Sequence, residues 1–256
     1  MKNVDALSWR FCLSIILTVL VSWGTFVAPG HAAGPELQVI TEITPPASFI
    51  DAHGKLTGLA VEIVRAVQQE IGDQTEIHVM PWARGYQELL TSPNVALFST
   101  TRTMARENLF QWVGPLFTTR WIIYARKGSR LHITCLEDAK SIKRIGVYRN
   151  DARAQLLRDR GFDNLDVADR QELNLVKLLG GRVDAILYSD LTMKEFLAKS
   201  DTPPELVEAV FEIGSRDLYI AFSKDSAPET IRIWQEAVDR LEERGELQGI
   251  RDKWLP

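Results

Sequence analysis

The chain has 256 residues, 45% of them apolar and 25% charged, with a net charge of −4. That balance excludes a disordered or fibrous chain and suits one large globular domain or two small ones. The mildly acidic charge leaves no electrostatic footprint for nucleic acid, and two cysteines, Cys12 and Cys135, supply no disulfide framework.

The first segment has the order of a secretory signal peptide. Lys2 and Arg10 come first, residues 11–23 form an apolar run, and small residues follow in FVAPGHAAGPE. A signal over residues 1–32 is expected, with Ala32 the last residue removed and the mature chain exported to the periplasm. An uncleaved anchor is the alternative, although the run is short for a membrane span and is broken by Ser, Gly and Pro. Cys12 is not placed for lipid attachment at a cleavage site. Cys135, alone in the mature chain, is expected to be a buried thiol.

LQVITEI (residues 37–43) reads as a strand and PPASFIDAHGKLTG as a loop. LAVEIVRAVQQEIG sets Ile63, Val64, Val67 and Ile71 on one helical face and stops at Gly72. TEIHVMPW reads as a strand, ARGYQELL as a short helix and NVALFST as a third strand. This β-α-β-α-β series implies a mostly parallel sheet. The pattern restarts after the extended run RWIIYARK. RIGVYR leads into DARAQLLRDRG, NLDVAD into RQELNLVKLLGG, and VDAILYS into DLTMKEFLAKS. EAVFEIGSRDLYIAFSK returns as an extended segment. A long helix then starts near Pro228, with Ile231, Trp234, Val238 and Leu241 at helical spacing.

Two α/β units are thus expected. Lobe 1 takes residues 33–120 and 217–256, and lobe 2 takes residues 121–216. Two extended crossings between lobes imply a hinge with a cleft, and ligands of open α/β sheets sit beyond the carboxyl ends of the strands. The hydroxyl run from Ser99 through Thr103 and the guanidinium of Arg106 lie at such an end.

Five stretches occur in order: DAHGKLTGLAVEIVRAV, TRTMARENLFQWVGPLF, IGVYRNDARAQLL, LLGGRVDAILYSDL and LEERGELQGIRDKW. Together they resemble the family 3 periplasmic solute-binding proteins, the polar amino-acid receptors of ABC importers. The resemblance spans nearly all of the mature chain. It implies an α/β, two-lobed periplasmic-binding-protein-like clamshell with two crossing hinge strands. It also implies a monomer that needs no cofactor or metal, captures a small polar, carboxylate-bearing ligand and serves an ABC permease in the inner membrane.

By the same resemblance Arg106 clamps the ligand carboxylate, with Ser99 and Thr101 adding hydroxyls. A guanidinium fork matches a carboxylate in two parallel bonds. The alternative is that Arg106 caps a helix or pairs with Glu107, while Arg102 is expected on a solvated face. Departures from the family pattern lie in the second lobe. Asn150, Asp151 and Ala152 stand for Gly-Thr-Thr, so Asp151 either caps the helix or places a carboxylate in the site. The position of the family's amine-binding acid is Ser189, with Asp190 one further. Either a bulge presents Asp190 or that contact is missing. Thr44 and Ala47 occupy the region of the family's aromatic cap. Trp82 is a candidate replacement or a core residue, and Tyr188 is a weaker candidate platform.

Enzyme signatures are scarce. His31, His53, His78 and His132 show no metal spacing, and the chain has neither a Gly-x-Ser-x-Gly elbow nor a phosphate-binding Gly-Lys loop. His53 and His78 read as loop and strand-surface residues. The runner-up reading is a cyclohexadienyl-dehydratase-like enzyme, with Asp151 or Asp190 as the acid. A sensory or orphan receptor would share every feature named above.

Overall fold

Short apolar strands alternating with amphipathic helices dictate the architecture of the computed structural model, which describes residues 36–255. The signal segment and Cys12 lie outside the described residues. The first half runs β1 (Gln38–Thr41), a small hairpin of β2 (Phe49–Ile50) and β3 (Leu56–Thr57), α1 (Leu59–Ile71), β4 (Ile77–Val79), α2 (Trp82–Thr91) and β5 (Val95–Thr101). The long strand β6 (Phe110–Arg126) leads to the second half: β7 (Ile145–Tyr148), α3 (Ala152–Asp159), β8 (Leu165–Ala168), α4 (Glu172–Leu179), β9 (Ala185–Ser189) and α5 (Asp190–Lys199). A second long strand, β10 (Val207–Ser223), returns to α6 (Pro228–Glu243) and α7 (Glu246–Trp254).

All strands except β2 and β3 join one eight-stranded sheet in the order β4-β1-β5-β10-β6-β9-β7-β8. Each outer triplet is parallel, as the two βαβ series require. The middle is not. β10 runs antiparallel to both β5 and β6, and β6 antiparallel to β9. The expectation of a mostly parallel sheet therefore holds for each triplet and fails at the centre, because β6 leaves the first half and β10 returns to it in opposite directions. RWIIYARK is only the later part of β6. The expected crossings at residues 120 and 216 fall inside these two strands, where Thr119 pairs with Arg216 and Arg120 with Ser215.

The helices bury the faces that their periodicity marks. Ile63, Val64 and Val67 of α1 meet Trp234, Val238 and Leu241 of α6 in one cluster against the first half of the sheet. Val147, Ala154, Leu157 and Leu187 anchor the core of the second half. Each such side chain contributes about 1.5–3 kcal/mol by leaving water.

Gly58 shows how the loop before α1 is fixed. Its φ is 125°, and an added Cβ would lie 2.5 Å from the Ala47 carbonyl oxygen. That close approach lets the first N–H groups of α1 hold the loop, with Leu59 donating to Pro46 O at 3.0 Å and Ala60 to Ala47 O at 2.9 Å. Cys135 departs from expectation. It is exposed, because it caps a short surface 3₁₀ turn, Leu136–Ser141, and does not point into the core.

Candidate ligand-binding cleft

In each triplet the chain order places the first strand between the second and third. The strand connections therefore diverge on either side of β1 and of β7, and such divergence opens a crevice at the carboxyl ends. The cavity found there measures ≈ 80 Å³. Its walls come from the residues just past or at strand ends: Glu42, Thr44 and Ala47 after β1, Trp82 after β4, Ser99 and Thr101 on β5, Asp151 after β7, Gln171 after β8 and Ser189 on β9.

Arg106, in the turn after β5, is 1% exposed. Its Nη2 donates to the Asn150 carbonyl at 3.0 Å and its Nε to Gln155 Oε1 at 3.2 Å, both across the cleft. Its guanidinium lies 4.7 Å from the Tyr86 ring centroid and 5.6 Å from that of Trp82. Burial lowers its pKa, against the pull of Tyr86 and Asp151. Nη1 has no hydrogen-bond partner among the described residues. A buried guanidinium nitrogen without a partner is costly unless something else accepts from it.

Ser99 is presented by a bulge. Between the pairs Thr100–Tyr219 and Leu97–Ala221 the register slips, so β5 holds two residues where β10 holds one. Ser99 adopts φ 60°, a strained value for a residue with a side chain. The bulge turns Phe98, Ser99 and Thr101 all toward the cavity. The Ser99 hydroxyl is buried and unpartnered.

Residues 37–256 match the model of the bacterial extracellular solute-binding proteins, family 3. The chain belongs to that family. It is 24% identical to the arginine-binding extracellular protein ArtP of Bacillus subtilis over 209 residues, 78% of each chain. It is also 24% identical to a "probable amino-acid ABC transporter-binding protein" of Haemophilus influenzae over 251 residues, 94% of each. Among solved structures, a histidine kinase sensor domain with similarity to periplasmic binding proteins superposes with a TM-score of 0.77 at 21% identity, covering 86% of this chain and 96% of that one. An ancestral arginine-binding protein bound to arginine gives 0.74 at 25% identity, covering 86% and 98%. The two-lobed clamshell with crossing hinge strands is therefore the fold of this family 3 protein, and the curated relatives are binding proteins.

In the second half of this solute-binding protein the two charged groups of the cavity wall satisfy each other. Asp151 caps α3 by accepting from the Arg153 N–H at 2.8 Å, and it holds the Arg153 side chain through Nε at 2.7 Å and Nη2 at 2.9 Å. Burial opposes the Asp151 charge, but Arg153 outweighs it and the pKa falls below the ordinary value. The α3 N-terminus is thereby occupied by its own carboxylate. Asn150 contributes its backbone: its carbonyl accepts from the Trp82 indole N–H at 2.9 Å as well as from Arg106. Trp82, 7% exposed, both lines the cavity and packs in the core.

The pairing of β6 with β9 is regular up to Trp121–Ser189, with no bulge. Ser189 therefore faces the cavity, closed onto Thr192 as the cap of α5. Asp190 is not brought to the site. It turns to Arg120, accepting from its backbone N–H at 3.1 Å and its Nε at 2.9 Å. Tyr188 is also absent from the cavity wall. It is buried, its hydroxyl donates to the Gln171 carbonyl, and its ring lies under Arg153. Arg102, not Arg106, pairs with Glu107, at 2.5 Å.

Glu42, Arg153 and Gln171 are among the cavity residues that escaped the sequence reading. Burial pushes the pKa of Glu42 up to about 7, against three hydrogen bonds that favour its charge. These come from the Tyr148 hydroxyl across the cleft at 2.5 Å, the Trp82 backbone N–H at 3.2 Å and the Thr44 hydroxyl at 3.3 Å. Gln171 leaves its buried Nε2 unpartnered. The missed signal for Glu42 was positional, since it is the first residue past the end of β1, where the strand connections diverge.

Proposed function

We propose that this protein captures a small amino-acid-like solute in the periplasm, closing two lobes over it and delivering it to an ABC permease. What carries the reading is Arg106, buried at the cavity wall with Nη1 unpartnered and Ser99 beside it. Asp151 and Arg153 neutralise each other. The remaining ionisable groups are the Arg106 cation and the Glu42 acid, which together complement a carboxylate and an ammonium on one ligand. Lobe 1 supplies both groups. Lobe 2, residues 121–216, closes through the Asn150 carbonyl and Tyr148, and ligand contacts to both lobes bias the hinge. Delivery to a permease rests on the likeness to the Haemophilus influenzae ABC transporter-binding protein.

The test is to purify the exported protein, unfold it mildly and identify the released small molecules by mass spectrometry. Rebinding is then measured by calorimetry. A carboxylate bound in simple stoichiometry and recovered intact supports the reading. Glu42 favours a second reading, because an acid of pKa about 7 in a cleft is suited to proton transfer. Conversion of ligand beyond one equivalent, lost in Glu42→Gln, would move the chain to the dehydratase-like class.

A further inference from the structure

The polar cavity has a larger neighbour. Glu42, Pro45 and Gln171 line both it and a second concavity of ≈ 650 Å³. The walls of the second space are mainly aliphatic: Ile43, Val79 and Met80 from the first half, Leu175 and Val176 of α4, and Phe196 of α5. Ile43, Val79 and Val176 are 41%, 44% and 66% exposed. Exposed apolar side chains gathered in one concavity mark a binding surface, and the volume lies in the range of small-molecule sites. The inner cavity has room for roughly five to eight water-sized groups, about the backbone of one amino acid. Three side chains common to both spaces separate them. Glu42 is held by Tyr148 and Trp82, whereas the Gln171 amide nitrogen has no partner among the described residues.

We propose that this groove takes the apolar tail of the ligand whose carboxylate Arg106 holds, so that the ligand class is an α-amino acid with a long hydrophobic side chain. The proposal rests on the carboxylate reading of the inner cavity. The walls the two spaces share, Glu42, Pro45 and Gln171, argue for one ligand over two. Both halves wall the groove, so a tail lying in it adds contacts to each lobe and strengthens closure. The rim is polar, with Arg170, Glu172 and Lys199, which suits a buried tail bounded by solvent.

The test uses straight-chain L-2-aminoalkanoic acids as probes: alanine, norvaline, norleucine, 2-aminooctanoic and 2-aminodecanoic acid, titrated by calorimetry. Affinity should be flat or weakly rising up to norvaline, then rise about fourfold per added methylene until the groove is filled. Val176→Asp, at an exposed helix position, should abolish that rise and leave alanine and norvaline unchanged. Val79→Ser should reduce it. If affinity stays flat or falls beyond norleucine, the groove holds no ligand tail and the proposal is overturned, as it would be for a groove that serves a protein partner. A rise that persists in Val176→Asp also overturns it. If the short acids bind and the long ones gain nothing, the carboxylate reading survives without the groove. If no member binds, that reading fails and takes the proposal with it.

Discussion

In the first half of the cleft, Arg106 keeps one nitrogen and Ser99 its hydroxyl without a protein partner. In the second half, Asp151 accepts three bonds from Arg153, and Ser189 is closed onto Thr192. Gln171 Nε2 is the exception on that side. Buried polar groups without partners are costly, and where two of them meet in one cavity they suit another molecule. On the function proposed above, recognition falls to the first half, and the second, whose charged pair Asp151–Arg153 is already neutralised, serves as a closing face.

The largest effect should come from breaking the second wall. Asp151→Ala leaves Arg153 buried and uncompensated and should lower stability by about 3–5 kcal/mol, read from urea denaturation. Affinity of the folded protein should change little. Replacing both residues with apolar ones should recover most of the loss. A variant that folds normally but binds poorly would show that this wall recognises the ligand after all.

Glu42 sharpens the same comparison through pH. Its pKa in the folded chain, about 7, lies above the ordinary glutamate value of 4.5. The folded state therefore holds that proton more tightly than the unfolded chain does. Its contribution to stability is full below pH 4.5 and is lost as the pH rises through 7. Glu42→Gln cannot ionise. It should match the native protein near pH 4 and exceed it at pH 8 by roughly 2–3 kcal/mol, in thermal melts across that range. An ammonium-bearing ligand should bind the variant more weakly at pH 8.

Ser99 carries a smaller effect of two signs. Ser99→Gly relieves a backbone strained at φ 60° but removes a donor from the cavity. Stability should rise by at most about 1 kcal/mol, while affinity falls about fivefold with the lost hydrogen bond. If affinity held or rose, the strained serine would not be serving the ligand.

How far the sequence was legible depends on what each residue needed. The helical faces of α1 and α6 follow from spacing alone, and the cores confirm them. Arg106, Ser99 and Thr101 were legible as cavity residues because hydroxyls and a guanidinium leaving an apolar strand are chemically conspicuous. Glu42 was hidden, since it reads as one more strand residue in LQVITEI until the end of β1 at Thr41 is known. Arg153 was hidden because its partner is only two residues away, and a helix-start arginine looks solvated. The choice between Ser189 and Asp190 turned on one residue of register, which only the pairing of β9 with β6 could decide.

The central claim is that Arg106 binds the ligand and Asp190 does not. It is tested most directly by calorimetry of the co-purified ligand against Arg106→Ala and Asp190→Asn. Arg106→Ala should remove about 2–5 kcal/mol of binding, a loss of roughly 30-fold to several thousand-fold. Asp190→Asn breaks an exposed ion pair with Arg120 and should stay within about twofold of the native affinity. Unchanged affinity in Arg106→Ala, or an equal loss in Asp190→Asn, would contradict this account of the cleft.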